Sequence, residues 1–187
     1  DTAHRMGMLV HLDGARLSNA TAALGGTVAA LRSFTVDAGV DVVSFGGTKA
    51  GLLGGEAVVY LDAALAQRAK YVRKMVNQLP SKMRFVAAQF NALLDDDLWI
   101  KGAQHSNQMA LQLYEATRHI PGVEFDHAPQ VNSLFPQLPA DAIAALCDWC
   151  FFWDWDISRR QVRWMTAWDT TADDVDRFAA GVRHLLG

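Results

Sequence analysis

Two stretches carry side chains that could do chemistry together. Asp13 stands in "HLDGARLSNA", three residues before Arg16, and Lys49 stands in "SFGGTKAGLLGGEAVV" (44–59), where five glycines surround one cation. Glycines of this kind can cradle a phosphate with bare backbone. They can also clear space around an amine that bonds covalently to a carbonyl. The phosphate loop G-x-x-x-x-G-K-[ST] fails here, because Lys49 follows Gly46-Gly47-Thr48 and is followed by Ala50. The dinucleotide fingerprint G-x-G-x-x-G is absent as well. What remains is a carboxylate at one strand end and a lysine at another. That pairing suits pyridoxal phosphate, in which a lysine forms a Schiff base and a carboxylate keeps the pyridine nitrogen protonated, so that the ring accepts electrons. The plain alternative is that Asp13 ends a strand in a turn and Lys49 is a solvated surface cation.

The elements that would position these residues can be read from the pattern. The run 8–12 reads as a short buried strand stopped by Asp13-Gly14, and 40–45 as a second strand stopped by Gly46-Gly47. About two dozen Ala/Leu-rich residues lie between them, broken by Gly25-Gly26. Strand, crossover and strand make a βαβ unit and hence a parallel sheet, whose ligands sit beyond the carboxyl ends of the strands. Both Asp13 and Lys49 fall at that end. The segment 56–62 reads as a third strand returning like a hairpin, and 63–117 as mostly helical. Met109, Leu113, Ala116 and Ile120 form an apolar stripe that Pro121-Gly122 stops. Beyond it, "VEFDH", "NSLFPQL" and "VRWMTAW" read as strands of a small α+β unit. A final helix follows Thr171 and Asp174, which form a capping box, and buries Val175, Phe178, Val182 and Leu185. A soft domain boundary is expected near Gly102.

Composition narrows the function classes. The chain has 187 residues, 51% of them hydrophobic, enough for one good core or two small ones. A formal net charge of −3 gives no basic stripe for nucleic acid. No stretch approaches the roughly 18 consecutive apolar residues of a membrane span, so a soluble, cytoplasmic protein is expected. Cys147 and Cys150 form a lone C-x-x-C; without a second ligand pair it makes no zinc site, and its aromatic surroundings do not suit a redox pair. Two reduced thiols and no metal are expected. His11 and His105 read as structural rather than as bases.

At the two motifs the chain closely resembles the low-specificity L-threonine aldolases, within the β-eliminating lyase group of fold type I pyridoxal-phosphate enzymes. The resemblance extends to "RKMVNQLPSKMRFVAAQF" and "VRWMTAWDTTADDVDRF", and so runs through essentially the whole chain. It implies an α/β fold: the C-terminal part of a fold type I enzyme, with 1–102 completing the large cofactor-binding domain and 103–187 forming a linking helix and a small domain. By the same resemblance Lys49 matches the Schiff-base lysine and Asp13 the carboxylate on the pyridine nitrogen. Arg16 matches the arginine near the ring oxygen and the substrate carboxylate, and Arg163 a second arginine for that carboxylate. Lys74 and Arg84 resemble residues reaching a neighbouring subunit's site, where the arginine contacts the cofactor phosphate and Lys74 the substrate side. Plainer roles remain: Arg16 capping a helix or pairing with Asp13, Arg163 stacking on an aromatic, Lys74 solvated on a helix face.

The implied reaction is cleavage of L-threonine or L-allo-threonine to glycine and acetaldehyde, with a homodimer or homotetramer sharing active sites. Another lyase on the same scaffold, such as a phenylserine-type aldolase or a β-eliminating enzyme, stays open, as does a non-catalytic interaction or oligomerisation domain. The ring-stacking histidine, the Gly-Thr phosphate site and a further histidine lie upstream of D-G-A-R in that family. Nothing in this sequence precedes Asp1, so an N-terminal portion is expected to be missing and the chain alone to be inactive.

Overall fold

A computed structural model describes residues 2–187, and Asp1 lies outside the described residues. The chain divides into two compact units, one ending at Lys101 and the other comprising Gly102–Gly187.

The first unit begins with a short helix, α1 (Thr2–Arg5), and then strand β1 (His11–Gly14). Two short helices, α2 (Leu17–Ala23) and α3 (Val28–Ser33), lead to β2 (Val42–Gly46), which pairs with β1 in parallel. The expected βαβ unit is present. β1 starts later than the pattern predicts and keeps Asp13 and Gly14 inside the strand. The reason lies in the ladder. The Val10 carbonyl accepts from the amides of Asp41 and Val42, and paired residues begin only at His11↔Val42. Asp41 braces this start: its carboxylate accepts from the Val10 amide at 2.7 Å and lies 2.9 Å from His4 Nε2. The Val10 bond first, and His4 second, hold that carboxyl below the usual range.

Strand β3 (Glu56–Tyr60) returns antiparallel to β2, giving the order β1-β2-β3. Alternation assigns the two faces. Val43 and Phe45 are buried, with the Phe45 ring 5.9 Å from that of Phe90 and 5.7 Å from that of Trp99. His11, Asp13 and Ser44 share the opposite face, where His11 Nε2 lies 2.8 Å from Ser44 Oγ. A 3-10 stretch, Ala63–Arg68, then leads into α4 (Ala69–Met75), α5 (Met83–Leu94) and α6 (Leu98–Thr117).

The second unit has the core proper. Three strands, β4 (Ser133–Leu134), β5 (Trp153–Asp156) and β6 (Gln161–Met165), form an antiparallel sheet in the order β4-β6-β5. Helices α7 (Ala140–Trp149) and α8 (Ala172–Leu186) complete it. Met109, Leu113, Leu134, Leu146, Val162, Trp164, Val175 and Val182 pack into one buried cluster. The capping box at Thr171 and Asp174 is formed as expected. Leu185 is exposed, and Leu186 packs on the core instead, because the helix turns the 185 position towards solvent. "VEFDH" contributes only a single bridge, Glu124↔Gln137, rather than a strand. Neither α7 nor β5 was legible as an element.

Candidate active site at the strand ends

The parallel pair brings the first motif residues to one end of the sheet. Asp13 faces Ser44 across the β1–β2 register, and the chain leaves β2 through Gly46-Gly47 into the 3-10 turn Thr48–Ala50, which carries Lys49. Asp13 is exposed, and its Oδ1 accepts from the Ala15 amide at 3.0 Å, fixing the carboxylate's direction. Lys49 is exposed too and, among the described residues, has neither an ion-pair nor a hydrogen-bond partner. Arg16 occupies the N-cap position of α2 without a side-chain cap bond, so helix capping is not its role.

Backbone contact explains two of the glycines. A Cβ on Gly46 would stand 2.8 Å from Ala15 Cα and 3.0 Å from its carbonyl oxygen. The turn bearing Asp13 and Arg16 therefore lies directly on the strand end leading to Lys49, with no room for a side chain. Gly51 ends the 3-10 turn at φ 112, a left-handed conformation that glycine adopts without strain. The loop then closes on itself: the Gly47 amide donates to the Gly55 carbonyl at 3.0 Å, and the Leu53 amide to Gln89 Oε1 on α5 at 2.9 Å. The glycines make the loop thin and tightly docked. They are not a phosphate cradle.

The remaining candidates are elsewhere. Lys74 lies in the last turn of α4 and Arg84 in the first turn of α5, both exposed, and Arg84 rests over the Phe85 ring at 4.7 Å. Arg163 is on β6 in the second unit. Its guanidinium lies 5.5 Å from the Trp155 ring, and its Nε is buried without a hydrogen-bond partner. Stacking was foreseeable from the aromatics beside it in sequence, but the partner belongs to a different strand. His105 bonds the Thr170 carbonyl at 2.7 Å, a structural tie. Cys147 Sγ donates to the Phe152 carbonyl at 3.5 Å, and Cys150 follows α7 as an exposed free thiol. Among the described residues, no group of three or more His, Cys, Asp or Glu is placed to hold a metal. Among the described residues, no helix is long and apolar enough to cross a membrane.

The comparison that decides family membership is a sequence model of the Beta-eliminating lyase family, which matches residues 1–139. The chain belongs to the β-eliminating lyases. The low specificity L-threonine aldolase of Pseudomonas aeruginosa is 40% identical over 188 residues, covering 100% of this chain and 53% of the relative. The enzyme of the same name from Pseudomonas sp. strain NCIMB 10558 is 40% identical over 187 residues, again covering 53% of that protein. The solved threonine aldolase of Leishmania major superposes with a TM-score of 0.84 at 27% identity, over 100% of this chain and 54% of that one. The chain thus spans about half the length of the curated relatives it matches. The α/β fold class and the resemblance to threonine aldolases both stand.

The residues at the strand ends suit the cofactor that this lyase family implies. One exposed amine without a partner and one oriented carboxylate stand at the same end of a parallel strand pair. In the second unit, a guanidinium keeps a buried donor unspent. The sequence reading missed Ser44, whose hydroxyl meets His11, and Trp155. The signal for Trp155 was the alternation W-D-W-D, which has a strand's period.

Proposed function

We propose that the protein carrying this chain cleaves L-threonine or L-allo-threonine to glycine and acetaldehyde with pyridoxal 5'-phosphate. One observation carries the reading: Asp13 and Lys49 stand at the carboxyl end of one parallel strand pair, joined through backbone contact at Gly46 and Ala15. Membership of the β-eliminating lyases and the threonine aldolase relatives support it. When bound, the cofactor supplies an electron-accepting ring for the pair released as the Cα–Cβ bond breaks.

In this proposal each side chain has a distinct task. Lys49 offers its amine as the covalent anchor. Asp13, its direction set by the Ala15 amide, holds the proton on the pyridine nitrogen. Arg16 and Arg163 take the substrate carboxylate, for which a guanidinium provides two parallel donors. Arg84 is assigned to a neighbouring subunit's cofactor phosphate and Lys74 to the substrate side of that subunit's site. A homodimer or homotetramer with shared sites belongs to the same proposal. The apolar side chains exposed on and after α4, Tyr71, Met75, Val76 and Phe85, support it. A cytoplasmic location completes the reading.

The test is Lys49→Ala in the full-length protein supplied with pyridoxal 5'-phosphate. We expect loss of the visible absorbance that a lysine-bound cofactor gives, and loss of retro-aldol activity with it. A variant that keeps both would overturn the assignment.

A further inference from the structure

We propose that Trp155 is a positioning residue that holds the Arg163 guanidinium ready for a substrate carboxylate; the proposal rests on the aldolase reading above. Four observations converge on it. Arg163 and Trp153 are register partners across β6 and β5, and the pairing is irregular between Asp154 and Asp156. Trp155 falls in that irregularity, outside the regular ladder, and its indole lies 5.5 Å from the Arg163 guanidinium carbon. The Phe135 ring packs on the same indole, centroid to centroid 4.8 Å at 52°. Arg163 Nε is buried and without a hydrogen-bond partner, and among the described residues Arg163 joins no ion pair.

These contacts divide the guanidinium's surface between two uses. A ring takes the flat face of a guanidinium and leaves its N–H edge untouched. The two terminal nitrogens stand side by side at the spacing that meets both oxygens of a carboxylate, while Nε–H stays covered. An arginine side chain is otherwise long and rotamer-rich, and ordering it on binding lowers affinity. Trp155, itself steadied by Phe135, removes that freedom beforehand. The residue is 56% exposed, which is not the burial of a side chain whose task is to fill a core. The role is therefore orientation. Trp155 acts through Arg163 and does not touch the reacting bond.

The experiment uses the full-length protein and two readouts. One is calorimetric titration with 3-hydroxybutyrate, which has the substrate's carboxylate and β-hydroxyl but no amine to join the cofactor, so that its Kd reads non-covalent recognition, and the Arg163→Ala difference in Kd reads the carboxylate site. The other is the KM and kcat for L-threonine. Trp155→Leu is expected to weaken 3-hydroxybutyrate binding and raise KM by roughly 3- to 30-fold, leaving kcat within about twofold; Trp155→Phe, which keeps a ring face, should stay close to the parent. Should the leucine variant not fold, Trp155→Gln is read in the same way. Unchanged Kd and KM in Trp155→Leu or Trp155→Gln, with binding lost in Arg163→Ala, would overturn the role of Trp155 and leave the arginine assignment standing. Unchanged Kd in Arg163→Ala would overturn the carboxylate site and this proposal together.

Discussion

Gly46 bears on the candidate site more than its lack of a side chain suggests. A Cβ there would meet the Ala15 backbone, and Ala15 lies in the same turn as Asp13 and Arg16, its amide bonding the Asp13 carboxylate. Adding one methyl there would push backbone against backbone, where no flexible side chain can give way. Gly46→Ala is therefore expected to destabilise the protein by about 1–3 kcal/mol, read from urea unfolding, and to weaken pyridoxal 5'-phosphate binding in a spectroscopic titration. Unchanged unfolding and unchanged cofactor affinity would refute the close-packed account. The residue types and spacing at this site were readable beforehand, because the Asp-Gly-Ala-Arg and Gly-Gly-Thr-Lys strings are local. The reason for the glycines was not. It depends on which backbone occupies the place a Cβ would take, and no string carries that.

At the scale of elements, α8 shows how far local chemistry goes. The Asp174 amide donates to Thr171 Oγ1 at 3.1 Å, while the Thr171 amide and hydroxyl donate to Asp174 Oδ2 at 3.0 and 2.6 Å. Thr171→Ala should cost about 0.5–2 kcal/mol of stability at neutral pH. The Thr171 hydroxyl first, and its amide second, hold the Asp174 carboxyl below its ordinary range. A depressed carboxyl stabilises the fold above its unfolded pKa, near ~3.9, and the contribution disappears as pH falls through the lower folded value. The gap between parent and Thr171→Ala should accordingly narrow in urea melts taken below about pH 4. A gap that is constant from pH 7 to pH 3 would contradict the reciprocal cap. This helix start was legible because all its partners lie within three residues. β5 was not, since W-D-W-D has a strand's period but leaves both tryptophans exposed, so no buried face assigned it. Only pairing with β6 defines it as a strand.

For the whole molecule, the division into two units sets what a core mutation can reach. The large buried cluster draws on α6, α7, α8 and the sheet of the second unit, and Leu146 is fully buried within it. Leu146→Ala should remove about 2–5 kcal/mol. In hydrogen exchange the loss should appear as faster exchange in residues 102–187, with the amides of β1 and β2 less affected. Equal acceleration throughout both units would show that the chain unfolds as one block.

The sequence by itself determined the βαβ start, the strand-end positions of Asp13 and Lys49, the end of α6 ahead of Pro121-Gly122 and the cap of α8. Each of these follows from the residue types of a few neighbours and from the backbone conformations they permit. The tertiary structure alone decided that Asp13 lies within its strand, that the Gly46 and Ala15 backbones meet, and that Arg163 stacks on Trp155 rather than on an aromatic beside it in sequence. Those facts depend on strand register and on packing between segments far apart in the chain. Register is a property of two strands at once, so reading either strand alone could not supply it.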